Sequence, residues 1–193
     1  MRGRKKSTRR AFTLIELMIV VAIVGILAVL AVYGVRKYLA NAKTAEARNS
    51  LGQIAKDAAA EYERESMAAT VLGTKTSSAI SRSLCKSASA TVPSASAAIR
   101  GRKYQSNPKE WNADAAGNSG FACLKFSMDQ PQYYMYGYSI TGTGGNTGDS
   151  FTASAQGDLN GDGVLSLFQL TGSVNAKYAL NIAPNMLEVR PDE

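Results

Sequence analysis

Apolar residues crowd the start of this chain and then thin into a regular spacing. From Leu17 to Val35, 19 consecutive positions carry no Asp, Glu, Lys or Arg. At 1.5 Å per residue, a helix of that length reaches roughly 28 Å, about the thickness of a bilayer's hydrocarbon core. One charge, Glu16, stands at the head of the run, where an ionisable group is costly and calls for a partner. Beyond Val35 the apolar positions Leu39, Ala42, Leu51, Ile54, Ala58 and Tyr62 follow mostly at three- and four-residue steps. Lys43, Glu46, Lys56 and Glu63 lie between them. No Pro interrupts residues 12–66. The pattern predicts one helix of about 50 residues, apolar in its first half (12–35) and amphipathic in its second (36–66).

The helical period then fades. Of the 35 residues in 66–100, 17 are Ser or Ala, the composition of a connection, with a short helix expected near Ala79–Cys85. This connecting region runs over 67–120. Strand signals start at Phe121, where FACLKFSM reads as a first strand. QYYMYGYSIT alternates and places Tyr134, Tyr136, Tyr138 and Ile140 on one face. TGTGGNTGD is a turn, SFTASAQ and VLSLFQL are further strands, and KYALNIA and NMLEVR add edge pieces. Short sequential strands joined by Gly-rich turns predict an antiparallel meander over 121–193. One face of it has to cover Leu51, Ile54 and Tyr62. The fold class is therefore α+β: a long N-terminal helix packed on a C-terminal antiparallel β-sheet.

Charge alters this picture less than its total suggests. The net +7 resembles a nucleic-acid binder's, yet six of the 22 basic residues lie in residues 1–11, leaving 16 against 15 acidic ones. The body has no electrostatic footprint for DNA. The basic head instead favours a cytoplasmic N-terminus and an exported C-terminal domain. Cys85 and Cys123 both fall in the exported part, where a disulfide is permitted, the alternative being two separate buried thiols. There is no His, which removes the commonest general base and metal ligand.

A basic head before an apolar run is also how a secretory signal peptide reads. Here the run is longer than a typical signal core, no small-x-small site precedes a polar break, and the helical pattern continues. Residues 8–35, TRRAFTLIELMIVVAIVGILAVLAVYGV, resemble the N-terminus of a type IV prepilin or pseudopilin. The stretch combines a basic leader, Phe12, Glu16 four residues later and an apolar helix. The resemblance implies the pilin fold, cleavage by a prepilin peptidase between Ala11 and Phe12, and methylation of the Phe12 amine. It also implies that the apolar helix is retained as a filament core, with Glu16 partnering the new amine. Two departures stand out. Ala11 occupies a place usually held by Gly, a reason for slower processing. Tyr33 replaces a common Pro, so that Gly25 and Gly34 supply the weak points along the helix.

Two further clusters carry candidate chemistry. DLNGDGVLSLFQ, residues 158–169, matches the first part of a calcium loop, with Asp158, Asn160 and Asp162 as the side-chain oxygens. Gln169 stands where a bidentate Glu belongs, strands flank it in place of helices, and Asp and Gly equally suit a plain hairpin turn. Calcium is thus an optional ligand, and no cofactor is required. Arg100, Arg102, Lys103 and Lys109 with Tyr104 and Trp111 form a basic–aromatic group that could meet nucleic acid or polysaccharide, or be only a solvated loop. No nucleophile–base pair or phosphate loop is present, so no enzymatic activity is expected.

The expectation is a structural subunit of a type IV pilus. It would sit single-pass in the inner membrane beforehand, among membrane lipid, and in a cell-surface fibre for motility, adhesion or DNA uptake afterwards. Its partners would be identical subunits, the prepilin peptidase and an inner-membrane assembly platform. Alternatives are the major pseudopilin of a type II secretion system, whose family carries a calcium site, and a membrane-anchored exported binding protein or hydrolase.

Overall fold

The computed structural model describes residues 12–64, 82–191 and 193. The leader with Ala11, and residues 79–81 of the helix expected near Ala79–Cys85, lie outside the described residues. The chain divides into two compact units, Met1–Leu39 and Ala40–Glu193. Helix α1, Leu14–Glu63, belongs to both. Its start is set locally. Thr13 Oγ1 accepts from the Glu16 N–H (3.3 Å), while Glu16 Oε2 accepts from the Thr13 N–H (2.8 Å), a reciprocal capping box.

In the second unit α1 buries Thr44, Ala47, Leu51, Ile54, Ala55, Ala58 and Tyr62. These follow the three- and four-residue spacing of one helical face. They enter a common core with the inward side of the sheet. Strands β1 (Tyr134–Thr141), β2 (Ser150–Gly157) and β3 (Ser166–Val174) form an antiparallel meander. Both β4 (Leu180–Ile182) and β5 (Leu187–Val189) pair with β3, one at each end of its free edge. The register aligns Tyr136, Ala155, Phe168 and Glu188 in one cross-strand row. Tyr134, Tyr136 and Tyr138 are buried, as their alternation requires. Burial pushes all three phenols well above their usual ionisation range.

The turns are fixed by carboxylates. Between β1 and β2, Asp149 Oδ2 accepts from the N–H groups of Gly144 (2.7 Å) and Asn146 (2.9 Å). These bonds hold its pKa below the ordinary value, the Asn146 bond contributing most. Gly142 has φ +89°, and a Cβ there would fall 1.9 Å from Asp149 Oδ1.

Three stretches ahead of β1 differ from their expectation. FACLKFSM is not a strand. Residues Gly120–Leu124 form a short helix, α3, which stops at Lys125 with φ +60°. Its first residue, Gly120, has φ +55°, and a Cβ there would lie 2.7 Å from Ala88 Cα. A backbone reversed at both ends cannot run on as a strand, and the apolar alternation serves instead to bury Phe121, Cys123, Leu124 and Phe126. Arg82–Cys85, the described part of the helix expected near Ala79–Cys85, is not helical; the Leu84 N–H is donated to the Gly144 carbonyl. Trp111, at the end of helix α2 (Pro108–Trp111), is 1% exposed and meets Phe121 and Phe126 edge-on at 5.0 and 5.4 Å. Cys85 and Cys123 form a disulfide across this packing, with Cα atoms 5.8 Å apart.

Candidate functional site

From Leu14 to Leu39 the first unit is helix, and its large apolar side chains, with Phe12 just ahead of it, are all exposed, between 51% and 80%. Its most apolar window has a mean hydropathy of 3.0, with none of it buried. A helix apolar all round and covered by nothing needs a dry environment from outside the chain. Gly25 and Gly34 fit the same reading, since a Cβ at either would meet nothing within 4 Å. No packing inside the chain demands glycine there, so their small size is available to a neighbour or to bending.

Glu16 Oε2 takes two bonds at 2.8 Å, one from the Thr13 N–H and one from the Thr13 hydroxyl. The carboxylate is thereby held at the helix start, one turn above Phe12. It sits where helix dipoles favour negative charge. Thr13 was not singled out in the sequence, although the Thr-x-x-Glu spacing ahead of an apolar run is a recognisable cap signature.

The Asp158 turn is built inward. Asp158 is 1% exposed, and its Oδ1 and Oδ2 accept from the N–H groups of Gly161 (2.6 Å) and Gly163 (2.9 Å). Arg100 Nε lies 3.6 Å from Oδ2. Asn160 Oδ1 accepts from the Asp162 N–H, Asp162 Oδ1 from the Val164 N–H, and Asp162 Oδ2 from the Asn160 amide, which also donates to Glu193 Oε2. All five side-chain oxygens of the trio thus face donors, with a guanidinium beside the first. Among the described residues no three Asp, Glu, Cys or His side chains gather as metal ligands. In this arrangement the three side chains cap a hairpin turn.

Three members of the basic–aromatic group, Trp111, Tyr104 and Arg100, are likewise committed to in-chain partners. Trp111 is in the core and donates its indole N–H to Ser106 Oγ (2.9 Å). The Tyr104 hydroxyl donates to Glu110 (2.9 Å), and Arg100 pairs with Asp158. Trp111 offers no free face for a base to stack on. Two contacts escaped the sequence because their partners are far apart along the chain. Arg48 forms a bidentate pair with Glu188, at 2.8 and 2.9 Å, 140 residues away. Half-buried Glu46 accepts from the Tyr133 N–H (2.8 Å) and the Tyr136 hydroxyl (3.2 Å).

A long helix packed by its second half on an antiparallel sheet, with an apolar first half, defines a pilin-like α+β protein. Residues 6–32 match the family model described as the prokaryotic N-terminal methylation motif. The chain thus carries the class III signal of type IV pilins and pseudopilins, and with its apolar helix reads as membrane-anchored before assembly. No curated protein and no solved structure matches the chain.

Proposed function

We propose that the chain is the structural subunit of a type IV pilus, a polymer at the cell surface rather than an enzyme. The observation that carries this reading is the fully exposed apolar helix headed by Glu16 within the methylation motif. In a bilayer the helix satisfies its backbone internally. In a fibre the same surface packs against identical helices, so it passes between two dry environments without meeting water. Cleavage between Ala11 and Phe12 by a prepilin peptidase creates an amine one turn from Glu16. That carboxylate, on the same or a neighbouring subunit, is its counter-charge when an inner-membrane assembly platform adds the subunit to the fibre. An unpaired charge in that setting costs several kcal/mol.

Electron microscopy of sheared surface material, with peptide identification and N-terminal mass analysis, tests this reading. Long fibres of this chain beginning at singly methylated Phe12 are expected. An intact Met1 or a start beyond Val35 refutes processing, and no fibres at native expression favours the secretion pseudopilin. Glu16→Ala should insert and be cleaved normally but fail to assemble when it is the only subunit; wild-type fibre yield would show Glu16 to be dispensable.

A further inference from the structure

One end of the sheet carries an exposed aromatic on a fixed turn. Between β3 and β4, Asn175 donates its N–H to the Ala179 carbonyl (2.9 Å), and its Oδ1 accepts from the N–H groups of Lys177 (2.8 Å) and Ala179 (3.0 Å). Tyr178 donates its N–H to the Asn175 carbonyl (2.9 Å), and its own carbonyl accepts from the hydroxyl of buried Tyr62 (3.0 Å). These bonds hold Tyr178 at φ +56°, a left-handed conformation that favours glycine. Its side chain nevertheless faces solvent. Tyr178 is 58% exposed, and of the large apolar side chains that the second unit leaves exposed among the described residues it is the only aromatic. A strained backbone that presents a ring to solvent points to a use outside the chain.

The neighbouring turn supplies polar groups. The β1–β2 turn is joined to this one by bonds from the Gly148 N–H to the Val174 carbonyl (2.9 Å) and from the Thr147 hydroxyl to the Asn175 carbonyl (3.4 Å). Asp149 fixes it from within, and Asn146 and Thr147 are exposed on it. A protein partner would need apolar surroundings that exclude water from the ring. Here the surroundings are an amide, a hydroxyl and the ammonium of Lys177. That one lysine, the single exposed charge on the two turns, makes no groove for a nucleic-acid backbone. A sugar ring does match, with an apolar C–H face to lie on an aromatic and a rim of hydroxyls to bond amides and hydroxyls. We propose that Tyr178, with these two turns, is a binding site for the pyranose ring of a glycan. Both turns are already fixed, so binding orders little beyond side chains. The site lies within the second unit and needs only one chain, so it stands apart from the fibre reading.

The test titrates methyl β-glucoside and methyl β-galactoside into the full chain in a phosphocholine detergent, which has no sugar headgroup. Saturation transfer to the ring protons is read by nuclear magnetic resonance. Transfer to the C–H face of at least one glycoside is expected, and sorbitol, which has the hydroxyls without the ring, should show none. Tyr178→Phe should bind as wild type, whereas Tyr178→Gly should weaken binding by about fivefold or more. Glycine is unstrained at φ +56°, so Tyr178→Gly should still melt within about 3 °C of wild type. A larger fall would show that the ring serves the fold and would overturn the site. No transfer to either glycoside, equal transfer to sorbitol, or undiminished binding by Tyr178→Gly also overturns it. Binding of an oligothymidylate that depends on Tyr178, without transfer to either glycoside, would mark a nucleic-acid contact and overturn the glycan assignment.

Discussion

Breaking the Cys85–Cys123 bond should lower stability without altering the folded packing. The two residues are 38 apart in sequence. In the chain-entropy treatment a loop of that length restricts the unfolded chain by about 4 kcal/mol. The segments it joins are also held independently. Leu84 donates its N–H to the Gly144 carbonyl, Ala88 to Tyr138, and Gly120 to Lys86. Phe121 and Phe126 lock against Trp111. The native state therefore keeps its contacts once the sulfurs part, and the loss falls on the unfolded ensemble. For a domain the size of Ala40–Glu193 each kcal/mol moves the midpoint by about 2–4 °C, so reduction should lower Tm by about 8–16 °C. The assay is thermal melting of the full chain in detergent, followed by circular dichroism and by the fluorescence of Trp111, the single tryptophan. Oxidised, reduced and Cys85→Ser/Cys123→Ser forms are compared, and the last two should coincide. A Tm change under about 3 °C would refute the loop-closure reasoning. A red shift of Trp111 emission on reduction, below the melting transition, would refute it differently, by showing that the bond holds the native packing together.

Trp111→Ala should cost about 3–5 kcal/mol, because it empties the space between Phe121 and Phe126 and removes the indole N–H that Ser106 Oγ accepts; urea titration checks this. Burial raises the Glu46 pKa above its ordinary 4.5, outweighing the lowering by its bonds from Tyr133 and Tyr136. A carboxyl with a raised folded pKa favours the folded state when protonated, and that gain is lost as pH rises through the folded value. Glu46→Gln, which retains an acceptor for both donors, should therefore melt at or above the wild-type temperature at pH 7, with its advantage vanishing near pH 4; a clear loss at pH 7 would contradict this. Melting in calcium, in magnesium and in chelator should give one Tm, since the oxygens of Asp158, Asn160 and Asp162 already accept in-chain bonds; a calcium-specific rise abolished by Asp162→Ala would show that the turn rearranges around the ion.

The parts readable from the chain alone are those whose signal is local or periodic. The apolar run, the position of Glu16 and the three- and four-residue spacing through Tyr62 foretell α1, because helix and bilayer both act on consecutive residues. The alternation of Tyr134, Tyr136 and Tyr138 foretells the buried face of β1 for the same reason. The methylation signal is a contiguous motif, so the most informative functional stretch needed no fold to be recognised. Other outcomes depend on residues that meet only when the chain is folded. FACLKFSM has a strand's composition, but the approach of Ala88 to Gly120 and the reversal at Lys125 turn it into α3. Trp111 reads as an exposed loop aromatic until Phe121, Phe126 and Tyr136 surround it. Asp158 reads as a candidate cation ligand, and only the fold shows Arg100 beside it and the turn's N–H groups aimed at its oxygens. The Arg48–Glu188 pair and the bond from Tyr62 to Tyr178 join positions with no periodic relation. Such contacts follow from how helix, loop and sheet pack, and local spacing carries no record of them.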